Sequence, residues 1–300
     1  MMSMSTMTQR RRSLLAALPA GLLLGALAPA RAAQPRAQGP RVVSVGAGVT
    51  EIVYALGGQP QLLAVDTSSL YPPQALALPK VGYQRTLSAE GVLSLGPQVL
   101  LAGQEAGPPA VLRQIESAGV RVVHVDGDYT FEGVLGRIGT VAAALGRQAE
   151  GKALADRLAL RWQALQARIA AAPLRGPGGR PLRVACLMRH GANTMAAGRD
   201  TGADAMLRLV GAVNVFGGDF ANYKPLSAES LAGAAPDAIV GTFDGTQEPD
   251  ARARLLATPG LAMTPAGRNQ RAVLIDIVLL LGFGPRLPQA VEDLYGALRA

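Results

Sequence analysis

The chain has 300 residues, 49% of them hydrophobic and 17% charged. That excludes a disordered segment and a single small core, and it fits two packed domains of ordinary size. One cysteine and two histidines exclude an intramolecular disulfide and a cysteine-rich metal site, and they argue against a zinc hydrolase.

The first residues read as a leader rather than as part of the fold. Arg10, Arg11 and Arg12 give a positive start, residues 14–27 are apolar, and Ala28-Pro29-Ala30-Arg31-Ala32-Ala33 supplies small residues for cleavage after Ala32 or Ala33. The apolar stretch contains Pro19 and several glycines and is short for a membrane span. The arginines ahead of Ser13-Leu14-Leu15 loosely resemble a twin-arginine signal but lack its usual Phe, so ordinary Sec export to the periplasm is expected. Residues 1–33 hold four arginines and no acid, so the formal charge falls from +8 to +4 without them. That mildly basic balance suits an anionic ligand better than nucleic acid. Cys186 lies in the apolar run Val184-Ala185-Cys186-Leu187, as a buried thiol would, and far from the leader. No lipid anchor is expected on it.

Beyond the leader, strand and helix signals alternate. Strands are predicted at 42–45, 62–65, 99–102 and 120–125, with helices at 50–56, 88–95 and 109–118 between them. Ser88 is placed to cap the second helix. Apolar strands in such alternation predict a parallel α/β sheet. From 130 to 172 there is almost no strand signal. Residues 150–171 read as one long helix, with Leu154, Leu158, Trp162, Leu165 and Ile169 on a single face. Gly and Pro break it at 174–181. The alternation then resumes at 182–188, 203–210, 228–234, 238–242 and 272–277, and a last helix covers 288–298.

An internal repeat organises this pattern. Residues 87–103 read LSAEGVLSLGPQVLLAG and residues 226–242 read LSAESLAGAAPDAIVGT, so that Pro97 aligns with Pro236 without a gap. The expected architecture is α/β: two Rossmann-like lobes joined by one long backbone helix, with a ligand cleft between them. The expected divisions are a signal peptide at 1–33, an N-terminal α/β lobe at 34–147, a linking helix at 148–174 and a C-terminal α/β lobe at 175–300. A single rigid helix limits hinge opening, so a largely preformed cleft is expected.

Enzyme signatures fail in turn. Gly46-Ala47-Gly48 follows a strand as in a dinucleotide fingerprint, but Glu51 stands where the third Gly belongs. There is no Gly-x-Ser-x-Gly, His-Glu-x-x-His, Walker loop or Cys-x-x-Cys-His. The residues that stand out are Tyr71, Tyr83, Tyr223 and His190, with Arg85, Arg189 and Lys224 beside them. Tyr71 precedes Pro72-Pro73, which stiffen the following chain. Its phenol either points into the cleft or packs over a turn.

The segments Arg41-Val42-Val43-Ser44, Thr50-Glu51-Ile52-Val53-Tyr54-Ala55-Leu56-Gly57, Asp66-Thr67-Ser68, Tyr71-Pro72-Pro73, Val81-Gly82-Tyr83, Leu87-Ser88-Ala89-Glu90-Gly91, Tyr223-Lys224-Pro225-Leu226-Ser227 and Leu281-Gly282-Phe283-Gly284-Pro285-Arg286 span nearly the whole chain after the leader. On these it resembles the haem-binding periplasmic proteins of bacterial haem-uptake ABC transporters, a class III solute-binding family whose fold also serves vitamin B12 and siderophores. The resemblance implies a carrier, not an enzyme. It would bind one ferric haem or two stacked haems and, as a monomer, deliver them to an inner-membrane permease dimer. It implies Tyr71 as a haem-iron ligand, consistent with the match between a hard phenolate and Fe(III). A nearby cation favours the phenolate, and Lys224 and Arg85 are the candidates. It implies His190 as ligand of a second haem, the alternative being a cleft residue near a propionate. Arg85, Arg189, Tyr83, Tyr223 and Lys224 fall to the iron's surroundings or the propionates. Glu90 and Glu229 become permease-docking residues, the plainer alternative being first-turn acids that favour their helix dipoles. The other ligands open at this point are a ferric siderophore or cobalamin.

Overall fold

The computed structural model describes residues 39–190, 193–243 and 250–300, apart from the side chain of His190. The expected signal peptide lies outside them. The described residues up to 300 belong to one compact unit.

The first sheet is built from β1 (Val42–Val45), β2 (Leu62–Val65), β3 (Val99–Gly103) and β4 (Arg121–Val125), in the order β2-β1-β3-β4 and all parallel. Its apolar central strands are buried on both faces, as helices packed on either side require. Those helices are α1 (Ala47–Ala55), α2 (Ala89–Leu93), α3 (Pro109–Ser117) and α4 (Phe131–Leu145). Thr130 caps α4 through its hydroxyl, 3.0 Å from the Gly133 amide, and Gly146 ends it in the left-handed conformation.

The connecting helix α5 (Gln148–Ala171) follows at once. At about 1.5 Å per residue it is a rod of about 36 Å. Its buried residues Leu154, Leu165 and Ile169 lie on the face the periodicity predicts. Trp162 stacks on Phe131 of α4 with ring centroids 4.9 Å apart. Toward its C-terminal end, Arg161 and Arg168 both bond Glu292 of the last helix, at 2.9 and 2.8 Å. The helix thus holds to elements on both sides of it, and one hydrophobic core runs from Val42 and Ile52 through Leu165 to Leu182 and Leu294.

The second sheet is mixed. It contains β5 (Arg183–His190), β6 (Asn193–Ala197), β7 (Val213–Asn214), β8 (Tyr223–Pro225), β9 (Ala238–Phe243) and β10 (Ala272–Asp276), in the order β10-β9-β5-β6-β8, with β7 beside β5. β10, β9 and β5 are parallel, while β6 and β8 join antiparallel. The helices are α6 (Gly202–Leu209), α7 (Ala228–Ala234), α8 (Ala251–Leu256), α9 (Pro265–Arg268), α10 (Ile277–Leu281) and α11 (Leu287–Arg299). The antiparallel pair departs from the all-parallel expectation.

The repeated segments fold alike. Ser88 caps α2 and Ser227 caps α7, each hydroxyl accepting from the amide three residues on, at 3.2 and 3.1 Å. Each helix then leads into a central parallel strand, β3 or β9. Cys186 is 1% exposed, and burial pushes its thiol up to about 12. It should therefore resist a thiol reagent such as dithiobisnitrobenzoate at pH 8 and react fully once the chain is unfolded. Stoichiometric reaction of the folded protein would contradict that burial.

Candidate functional site

A cavity of about 810 Å³ lies between the two sheets' loop ends. The first lobe contributes Tyr83, Arg85, Gln104 and Tyr129, and the second contributes Met188, Arg189, Met195 and Tyr223. Met188 and Met195 face one another across the β5–β6 pair, so the antiparallel strands absent from the sequence prediction furnish one wall. The cavity sits at strand ends between two α/β layers, where such sheets bind ligands.

Tyr71 follows Leu70, which lines the cavity, and is 39% exposed. The Arg286 guanidinium lies over its ring, 3.5 Å from the centroid. Arg286 also donates two hydrogen bonds to Glu51 of α1, at 2.8 and 2.7 Å, across a separation of 235 residues. Burial works against the charge on Arg286, but the hydrogen bonds and Coulomb attraction of Glu51 outweigh it and raise its pKa. The tyrosine is thus held against a permanent cation whose own counter-charge is fixed from the other lobe.

The glycines that open α1 serve this junction rather than a phosphate. Gly46 has φ 109°, which favours glycine, and its amide bonds the Asp66 carboxylate at 2.9 Å. A Cβ on Gly48 would lie 2.0 Å from the Gly282 carbonyl oxygen. Glu51, standing where a dinucleotide fingerprint needs its third Gly, is the partner of Arg286.

The other expected residues divide. Arg85 lines the cavity but spends its charge on Glu105 at 2.6 Å, and Lys224 lies 5.5 Å from the Phe220 ring. Neither is the cation beside Tyr71; Arg286 is. Lys224 is not among the residues lining the cavity, although Tyr223 before it is, since successive strand residues face opposite sides. Tyr83 and Arg189 are exposed in the cavity wall. Burial pushes the Tyr223 phenol up, and burial followed by Glu105 pushes the Tyr129 phenol up, so both stay neutral donors. His190 ends β5, paired in register with Asn193, and its side chain lies outside the described residues. His124 sits in β4 with its side chain exposed. Glu90 and Glu229 are exposed in the first turns of α2 and α7.

Arg137 joins the site without having been expected. It is buried, donates to the Phe283 carbonyl at 3.1 Å and to Gln104 at 3.3 Å, and lies 5.9 Å from the Tyr129 ring centroid. The only sequence signal for Arg286 was its place in Gly282-Phe283-Gly284-Pro285-Arg286. Arg137 had none beyond being a charge within an apolar helix.

Two α/β lobes, a helical connection and a cavity between them define a solute-binding protein. The sequence model described as periplasmic binding protein matches residues 42–278, and the chain belongs to that family. Among solved structures it is similar to the periplasmic haem-binding protein BhuT in complex with two haems. The two share 46% identity with a TM-score of 0.79, over 87% of this chain and 98% of that one. It is also similar to a periplasmic haem-binding protein from Pseudomonas aeruginosa, at 38% identity and TM-score 0.77, over 87% and 93%. Among curated proteins it is 26% identical to the uncharacterised ABC transporter substrate-binding lipoprotein YvrC of Bacillus subtilis, over 85% of this chain and 78% of that protein.

Proposed function

We propose that this protein carries haem through the periplasm, binding one or two haem groups between its lobes for an ABC transporter. It acts as a carrier, not an enzyme. The observation that carries the iron chemistry is Tyr71, exposed next in the chain to Leu70 of the cavity wall, with the Arg286 guanidinium 3.5 Å from its ring centroid, in a chain 46% identical to a protein solved with two haems. Tyr71 is the donor to ferric iron, because a phenolate is a hard ligand and a fixed cation beside it favours the ionised form. Met188, Met195, Val49 and Leu281 give the porphyrin apolar contacts. Arg85, Arg189 and Tyr83 stand where propionates and ring edges meet the wall, and Tyr223 can donate a hydrogen bond from below. Lys224, turned toward Phe220, serves the surroundings more distantly. His190, at the end of β5, is the donor to a second iron when two haems stack.

Titrating the purified protein with haemin tests this. An endpoint at two equivalents supports the stacked pair, and an endpoint at one removes the second haem assigned to His190. No Soret change at stoichiometric haemin would overturn the reading altogether.

The carrier works as a monomer that presents one glutamate per lobe to a permease dimer. What supports this is the matched placement of Glu90 and Glu229, both exposed on helices capped in the same way. Glu90→Ala combined with Glu229→Ala should leave haemin binding intact and lower haem uptake at least about tenfold, the scale expected when two charge-assisted hydrogen bonds to the permease are removed. Normal uptake by the double variant would sink the docking assignment.

A further inference from the structure

We propose that Asp66 is the positioning residue for Tyr71, an inference that rests on Tyr71 being the iron donor. Residues 66–79 form a compact surface loop whose ends meet. Val65 bridges to Lys80, with the Val65 amide 3.0 Å from the Pro79 carbonyl and the Val81 amide 3.0 Å from the Val65 carbonyl. Tyr71 sits in this loop, 39% exposed. An exposed side chain on a loop holds a metal well only if the loop itself is fixed.

Asp66 fixes it from within. It is 0% exposed. Its Oδ1 accepts from the Gly46 amide at 2.9 Å and the Ser69 hydroxyl at 2.6 Å. Its Oδ2 accepts from the Ser68 amide at 2.8 Å and from the Ser68 hydroxyl. One carboxylate therefore ties Ser68 and Ser69, three and two residues before Tyr71, to the glycine that opens α1. Lys80 braces the far side, with Nζ 2.9 Å from the Ala75 carbonyl and 3.5 Å from that of Ser69.

The hydroxyls behind Asp66 have a fixed direction. Ser69 gives its single proton to Asp66, so at 2.7 Å it must accept from Thr50. Thr50, its proton committed, must accept from Ser44 at 2.9 Å. The chain Ser44 to Thr50 to Ser69 to Asp66 runs one way and ends on the anion, linking β1, α1 and the loop. An amide in place of this carboxylate keeps the shape but turns an NH2 toward amide and hydroxyl donors. The backbone amide facing that NH2 has nothing left to bond, so at least one hydrogen bond is lost and the loop is loosened, with Ser68 and Leu70 of the cavity wall on it.

The test compares Asp66→Asn, Ser69→Ala and Tyr71→Phe, each loaded with haemin. Asp66→Asn should keep the far-UV circular dichroism of the unaltered protein. It should shift the ferric-haem absorption toward that of Tyr71→Phe and release haem to apomyoglobin about tenfold faster, the scale of one charge-assisted hydrogen bond. Added to Tyr71→Phe, it should bring no further loss. Wild-type spectra and release in Asp66→Asn and Ser69→Ala, with an altered Tyr71→Phe, would overturn the role of Asp66 and leave the donor in place. An unaltered Tyr71→Phe would instead remove the donor itself. Should Asp66→Asn not fold, Ser69→Ala decides alone, because it deletes one donor to the same carboxylate at a buried position outside the cavity wall: a shifted spectrum supports the inference, an unshifted one refutes it.

Discussion

Tyr71→Phe should strip the ferric-haem protein of its phenolate charge-transfer absorption and weaken haem binding by about a hundredfold or more. Altering a residue that merely supports a metal ligand costs about 10–100-fold in metal affinity, and the ligand itself should cost at least as much. The substitution is a clean one. Phe keeps the ring, so the contact with the Arg286 guanidinium survives, and the exposed position leaves no cavity in a core. Whatever changes is therefore owed to one oxygen. Optical spectra of the haemin-loaded variant and a competition assay against apomyoglobin measure the two effects. A variant with the parent's spectrum and affinity would show that the iron is held elsewhere, and His190 would become the first residue to replace.

The first lobe was legible in the sequence because its central strands are buried on both faces. Val42–Val45 and Val99–Gly103 are almost wholly apolar, and nothing else in the chain at that spacing competes with a strand. The long helix was legible from the regular stripe at Leu154, Leu165 and Ile169. The preceding helix α4 was seen only as a stretch without strand signal, since Gly133, Gly136 and Gly139 lower its intrinsic helix preference, and packing against α1 and α5 forms it regardless. Strands β6 and β8 were missed for two reasons. Asn193–Ala197 opens on two polar residues and closes on two alanines, a weak strand pattern, and Tyr223–Pro225 is three residues ending in proline. In the site, Tyr71 announced itself through its local neighbours. The cation beside it did not, because proximity to Arg286 is made by the approach of two lobes and leaves no mark near Tyr71 in the chain. Charge and nearness in sequence favoured Arg85 and Lys224, and each is engaged with a different partner in the fold.

Glu51→Ala should be the most destabilising single change at the junction of the lobes, by about 3–5 kcal/mol, because removing one partner strands the other's charge in a buried place. The Glu51 side chain is 4% exposed and that of Arg286 21%, so solvent screens the pair little. In a domain of this size such a loss corresponds to a fall in Tm of roughly 10 °C. The double variant Glu51→Leu with Arg286→Met should recover most of it, since replacing both charges by apolar groups of similar volume is often close to neutral. Haem binding should not recover with it, because the guanidinium beside Tyr71 is then gone. Calorimetric melts and haemin titrations of the two variants separate the roles. A melt lowered equally in both would assign the stability to shape at the Gly48–Gly282 contact rather than to charge. A double variant that binds haem like the parent would show that the cation beside Tyr71 contributes nothing to the site. The pair therefore links two lobes through one arginine: it joins them by two hydrogen bonds, and those same bonds hold a positive charge against the ring of Tyr71, the proposed iron donor.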